Sequence, residues 1–387
     1  MKILFVADVP PDPNSGAAGT EYQTIQALRA MGHEVDAIWS DSLPHRIRHP
    51  NLHNLLELPA AFRDAIAKSC SRQDYHIIHA NQPFAYLAAK DHLTTGRKGV
   101  FVSRSHGFEM AMHEQLSIWY NRMGIQERRF PKSILGRAVD YGTGRSCRLI
   151  AQYAEGFIVS STVDQTFLID RLHVPPNRVA CIAQAPPVGF QAAPPTVFSE
   201  SCNRLLVIGP ASFSKGIHVI SEAWNRLVVD YPSLSLTWVC HASEVDEARK
   251  IFSAIARERT TFLEPVSQEA LIKIYDQHDI FIFPSLYEGF GKAPLEAMAR
   301  GLCVVASDTG GMRDIITSGK DGVLIEVGNI NQLISAVSSL HSDVAIARDI
   351  GALARETALK YSWNRVACET LEFYERLLRR KSTGSMD

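Results

Sequence analysis

Two carboxylates, Glu288 and Glu296, lie eight positions apart in the segment Ser285-Leu-Tyr-Glu-Gly-Phe-Gly-Lys-Ala-Pro-Leu-Glu-Ala-Met-Ala-Arg-Gly301. A carboxylate accepts two hydroxyl hydrogen bonds at once, which matches the vicinal diol of a ribose or a hexose. For a lone glutamate the plainer readings, a helix cap or a solvated side chain, come first. The glycines and aromatic residues around this pair favour the diol reading, and the chemistry expected is that of a sugar-nucleotide site.

The flanking elements would hold the pair in place. Asp279-Ile-Phe-Ile-Phe-Pro284 is an apolar run of the kind that forms a strand buried on both faces of a parallel sheet. Pro294 suits the first position of a helix, Gly301 suits its C-terminal cap, and Cys303-Val-Val-Ala-Ser307 reads as the next strand. The unit is strand, loop, helix, strand. Ligands of such units sit at the carboxyl ends of the strands, where a helix N-terminus favours anions. Glu288 is expected in the loop and Glu296 in the first helical turn.

In order and spacing, the stretch from Phe262 to Leu340 resembles the C-terminal half of the family 4 glycosyltransferases of the GT-B fold. Glu288 and Glu296 match the family's E-x7-E motif, and Ser307-Asp-Thr-Gly-Gly311 and Gly319-Lys-Asp-Gly-Val-Leu324 continue its pattern. The resemblance extends to Lys215-Gly216 after the strand Arg204-Leu-Leu-Val-Ile-Gly209, to Arg104-Ser-His-Gly-Phe-Glu109, and to Tyr361-Ser-Trp363 with the long helix after it. It implies an α/β fold of two Rossmann-like domains facing each other across a cleft. The first would bind the acceptor and the second the nucleotide sugar, with the last helix crossing back to the first. It also implies residue roles. Glu296 would hold the ribose and Glu288 the sugar hydroxyls, while Gly289, Phe290, Gly291 and Lys292 would border the donor. Lys215 would neutralise the diphosphate, and His106 would contact the transferred sugar. Gly16 or Gly19 would be the close-approach glycine of the first loop. The catalytic candidates are therefore His106, Lys215 and Glu288. His79 reads more readily as a structural histidine than as a ligand-binding one.

The chain departs from the family in places. Pro210 stands where the family carries an arginine, Ala17-Ala18 where it carries a glycine pair, and Gln184-Ala-Pro-Pro187 where it has an Asn-Gly turn. No D-x-D occurs, so neither a metal nor another cofactor is demanded. Expected partners are a nucleotide-sugar donor and an acceptor that is a glycan, a lipid-linked sugar or a protein.

Bulk properties bound the remaining possibilities. With 387 residues, 46% of them apolar and 21% charged, the chain can bury two cores. The expected division is 1–190, a linker at 191–203, and 204–362, with helix 363–380 returning to the first domain. A net charge of −1 gives no global attraction to nucleic acid. Seven scattered cysteines without a C-x-x-C pair suggest a reducing compartment, and the absence of a long apolar stretch suggests a cytoplasmic protein. Between Asn121 and Arg148 seven Arg or Lys residues face only Glu127 and Asp140. That segment reads either as a solvated helix face or as a patch making peripheral contact with the inner face of a membrane. The expected activity is retaining transfer of a sugar from a nucleoside diphosphate sugar, most readily a UDP sugar, in glycan or glycoconjugate biosynthesis. The alternative is a catalytically weakened relative that binds nucleotide sugar or glycan or supports a partner enzyme.

Overall fold

The computed structural model describes residues 1–13, 15–81, 83–125, 132–194, 198 and 200–383. It comprises two compact units, Met1–Gln184 with Trp363–Asp387, and Ala185–Ser362.

In the first unit, strands Lys2–Val6 (β1), Glu34–Ile38 (β2), Ile77–Asn81 (β3), Val100–Arg104 (β4), Gly156–Val159 (β5) and Val179–Cys181 (β6) form one sheet in the order β2-β1-β3-β4-β5-β6. All pairings are parallel. β3 and β4 are buried along their whole length, and their polar residues cluster toward the carboxyl ends: His79 and Asn81 in one, Ser103 and Arg104 in the other. The apolar remainder of these strands fills the core on both faces, as a parallel sheet covered by helices requires. The order reverses between β1 and β3, and ligands of open α/β sheets bind outside the carboxyl ends at such a point.

The C-terminal helix Trp363–Thr383 belongs to this unit and packs on the helix Ala17–Ala30 and on β4. It buries Val366, Phe373, Tyr374 and Leu377. A Cβ on Gly156 would lie 2.4 Å from Leu377 Cδ1, so glycine lets helix and strand close on each other.

In the second unit, strands Arg204–Ile208 (β7), Ser235–Val239 (β8), Thr260–Leu263 (β9), Ile280–Phe283 (β10), Cys303–Ser307 (β11) and Val323–Ile325 (β12) form a parallel sheet in the order β12-β11-β10-β7-β8-β9. This is the dinucleotide-fold order, and its reversal lies between β7 and β10, the strands that precede Lys215 and Glu288.

Two local expectations shift. The helix after β10 runs Lys292–Ala299, with Gly291 as its N-cap at φ +97, so Pro294 is its third residue and Glu296 its fifth. Glu296 thus begins the second turn rather than sitting in the first. The first unit ends at Gln184 rather than at 190, and Val188–Ala192, which runs into the start of the expected linker at 191–203, is a helical turn in the second unit. Arg300, 1% exposed, donates to the carbonyl oxygens of Phe190 and Ala193 at 3.1 Å, and also to that of Pro194. These bonds tie residues up to 194 to the second unit.

Part of the basic segment 121–148, residues 126–131, lies outside the described residues. In the helix Lys132–Tyr153, Val139, Cys147 and Ile150 are buried while Tyr141 is 69% exposed, so one face packs inward. Among the described residues no helix is long and apolar enough to cross a membrane.

Candidate active site

In the second unit three tight loops converge at the reversal of strand order. Gly216, at φ +75, caps the helix Ile217–Asp230, and a Cβ there would lie 2.1 Å from Pro284 O. Leu286 N donates to Ser214 O at 2.8 Å. The loop after β7 therefore touches the loop after β10 backbone to backbone. A third loop follows β11: a Cβ on Gly310, at φ +56, would lie 2.3 Å from Glu288 O, and one on Gly311 would lie 2.5 Å from the Phe290 ring.

This packing brings Lys215 and Glu288, 73 positions apart, into a direct ion pair. Lys215 Nζ also lies 5.2 Å over the Phe283 ring. Gly289, Phe290 and Gly291 are buried beside the pair and lead into the helix N-terminus at Lys292, whose first N–H groups have no partner within the helix. Glu296 is 9% exposed and accepts a 3.1 Å bond from the Tyr275 hydroxyl. Burial raises its pKa, against the opposing influence of Lys292 and the Tyr275 bond. A carboxylate in this state gains from hydroxyl donors that replace lost water. Pro210, where an arginine was expected, supplies only its carbonyl, which accepts from Ser212 N at 2.8 Å.

Replacing Gly310 by Ala would strain a left-handed backbone and press a methyl group against the Glu288 carbonyl. The expected cost is about 1–3 kcal/mol, read as a lower urea midpoint for the second unit.

The first unit holds a second polar cluster. His106, just beyond β4, is bonded through Nε2 to Glu21 Oε1 at 2.9 Å, and Gln184 Nε2 lies 3.5 Å from its Nδ1. Gln184 also accepts from Thr20 Oγ1 at 2.8 Å and donates to Ser160 Oγ at 3.0 Å. Glu21 and Arg104 are both 0% exposed. Burial alone would raise the Glu21 pKa, but the Arg104 charge and the His106 bond bring it down to about 2. An ionised carboxylate only accepts, so His106 Nε2 carries a hydrogen.

His79 belongs to the same network. It stacks on Phe5 at 4.2 Å, and its Nδ1 is bonded to the Tyr374 hydroxyl at 2.5 Å. Burial takes its pKa down to about 3 despite Glu21 nearby, so it is neutral at physiological pH, as a structural histidine should be. Of the first-loop glycines, Gly16 caps the helix Ala17–Ala30 at φ −59 with nothing within 4 Å of a Cβ. Gly19 is buried inside that helix. Neither requires a glycine-only backbone conformation.

Glu109, three residues past His106, carries a buried Oε2 without a hydrogen-bond partner. Burial, helped by Asp164, raises its pKa from 4.5 to about 8. Between those values the folded chain keeps a proton that the unfolded chain has lost, so this group's contribution to stability falls as pH rises. Glu109→Gln, permanently neutral, is expected to gain several degrees in melting temperature over the native protein at about pH 8, and to lose that advantage near pH 5.

Glu21, Arg104, Tyr374 and Tyr275 are not among the candidate site residues read from sequence. A signal existed for one of them: Glu21, Ile25 and Leu28 fall at i, i+4 and i+7, which places a carboxylate on the buried face of its helix.

Comparison with known proteins agrees with this architecture. Residues 193–357 match the family described as "Glycosyl transferases group 1". A D-inositol 3-phosphate glycosyltransferase of Corynebacterium urealyticum is 30% identical over 178 residues, 44% of this chain and 42% of the relative. An alpha-maltose-1-phosphate synthase of Mycolicibacterium smegmatis is 30% identical over 230 residues, 54% and 57% of the two chains. The chain thus spans about half the length of these relatives. Among solved structures, sucrose-phosphate synthase from Thermosynechococcus elongatus superposes with a TM-score of 0.77 at 20% identity, covering 98% of this chain and 100% of that one. Anabaena HepE in complex with UDP gives 0.67 at 17% identity, over 96% and 99%. Residues 193–357 thus resemble the group 1 glycosyl transferases, and the chain shares the two-sheet, GT-B-type fold of these solved structures.

Proposed function

We propose that this protein is a retaining glycosyltransferase that moves a hexosyl or N-acetylhexosaminyl group from a UDP-linked donor to the hydroxyl of a glycan, lipid-linked sugar or protein acceptor. The observation that carries the reading is the Lys215–Glu288 pair at the strand-order reversal of the second unit, beside a helix N-terminus and a buried Glu296. The relatives named as glycosyltransferase and synthase, and the Anabaena fold neighbour holding UDP, point the same way.

In this reading Glu296 accepts from the ribose diol and Glu288 from sugar hydroxyls. Lys215 and the first N–H groups after Gly291 meet the diphosphate. As the bond between the anomeric carbon and the phosphate oxygen breaks, negative charge grows on the leaving diphosphate. A fixed ammonium and oriented amides stabilise that charge more than they stabilise the intact donor. The acceptor oxygen bonds to the anomeric carbon on the same face, and its proton passes to the departing phosphate. His106, oriented by Glu21, is assigned to the transferred sugar. Protein groups would then serve where other glycosyltransferases use a metal.

The test is release of UDP from UDP-glucose and UDP-N-acetylglucosamine in the presence of candidate acceptors, with the product anomer read by NMR. Retained configuration supports the mechanism, and inversion refutes it. Pro210 favours a second reading, a weakened relative that binds donor without turnover, because it removes one expected diphosphate clamp. That reading predicts nucleotide binding with no UDP release in any acceptor mixture.

A further inference from the structure

At the opposite end of the first unit's sheet from His106, a cavity of about 240 Å³ opens beside the amino ends of β4, β5 and β6. Along β4 alone this is roughly 13 Å from the carboxyl end that leads to His106. The volume is many times the roughly 10–15 Å³ that a single water requires, so it admits a ligand of several heavy atoms rather than one ion.

The walls are of two kinds. Leu93, Val100 and Leu377 give an apolar side, and Arg178, Arg380 and Lys381 give a cationic one. The one carboxylate in the wall, Glu155, is already engaged: Lys381 Nζ lies 2.8 Å from it and His92 Nε2 3.2 Å, and it accepts from Phe101 N at 2.8 Å. Arg178 donates one Nη to Ala154 O, while its buried Nε has no hydrogen-bond partner among the described residues. Burial and the neighbouring Arg380 charge both lower the Arg178 pKa. Lys381 is paired with Glu155, so the Arg178 guanidinium, with its unpartnered Nε, stands in a partly desolvated apolar hollow where an anion would offset its charge.

We propose that this cavity binds an amphiphilic organic anion, with a carboxylate or phosphate head on Arg178 and an apolar body against Leu93, Val100 and Leu377. The site is separate from the donor site, and no residue is shared with it.

Titration calorimetry with octanoate and octyl phosphate tests the proposal, with octanol and inorganic phosphate as controls. The expected result is saturable one-to-one binding of at least one of the two anions. Preference between the heads tells a fatty-acid source from a phosphate-ester source. Arg178→Gln should weaken binding at least tenfold. So should Leu93→Glu, which places a carboxylate at a position 41% exposed and therefore tolerant of change. UDP binding should be unaffected in both variants. The proposal is overturned if neither anion binds the native protein, if octanol binds as tightly as the anions, if inorganic phosphate binds as tightly as octyl phosphate, or if Leu93→Glu leaves the affinity unchanged.

Discussion

Lys215→Ala is expected to lower turnover of a UDP sugar by about 10²–10³-fold while leaving the fold intact. Removing one preorganised donor from a site of developing negative charge costs this much in enzymes that rely on such donors. The structure places Lys215 directly against Glu288, and Pro210 supplies no guanidinium beside it. The loss should fall mainly on kcat, since the charge that Lys215 meets grows in the transition state. Arginine at 215 should recover only part of the rate, because its fork does not reproduce a point charge in this tight loop. Steady-state kinetics on the two variants check this, with circular dichroism to confirm the fold. A kcat within threefold of native would remove Lys215 from the mechanism.

The second large effect concerns stability. Glu21→Gln keeps the shape of the side chain but leaves the buried Arg104 guanidinium without its compensating charge. Glu21 is not in direct contact with Arg104, but leaving a buried charge uncompensated typically costs about 3–5 kcal/mol. For a unit of this size that corresponds to a fall in melting temperature of roughly 10 °C. The pH dependence gives a second signature. The Glu21 pKa is about 2 in the fold against 4.5 ordinarily, so its stabilisation is complete above about 4.5 and is lost as pH falls toward 2. His79 adds loss in the same direction between 6.5 and about 3, where the unfolded chain takes up a proton and the folded chain does not. Glu21→Gln should therefore flatten the melting curve below about pH 4.5. An unchanged acid profile would show that Glu21 does not hold its charge against Arg104 and His106.

How far the sequence reaches can be seen at these same residues. Ile280–Phe283 and Cys303–Ser307 were legible as buried strands because their apolar runs are unbroken and are bounded by Pro284 and Gly301. His106, Glu288 and Glu296 were legible because each stands next to such a strand or on the helix that follows it. The order of strands was not readable, so neither was the meeting of Lys215 with Glu288, which depends on β10 pairing with β7 rather than with β9. The helix start moved from Pro294 to Lys292 because the cap is a glycine at φ +97, a property of the backbone and not of residue type. Glu21 was missed because a glutamate on an amphipathic helix ordinarily faces water. Only its partners, Arg104 from β4 and His106 beyond it, make the buried position tenable. Gln184 appeared as a departure from a family turn and proves to be a hub linking Thr20, Ser160 and His106.

The measurement that bears most directly on the donor site is thermal stabilisation by UDP, GDP, ADP and dTDP, on the native protein and on Glu296→Ala. A nucleotide at a hundred times its dissociation constant adds about 2.7 kcal/mol. At roughly 2–4 °C per kcal/mol, the shift should be several degrees. The account predicts such a shift with UDP, smaller or absent with the other three, and abolished in Glu296→Ala. No shift with any nucleotide, or an equal shift in native protein and variant, would contradict the placement of the donor at Glu296.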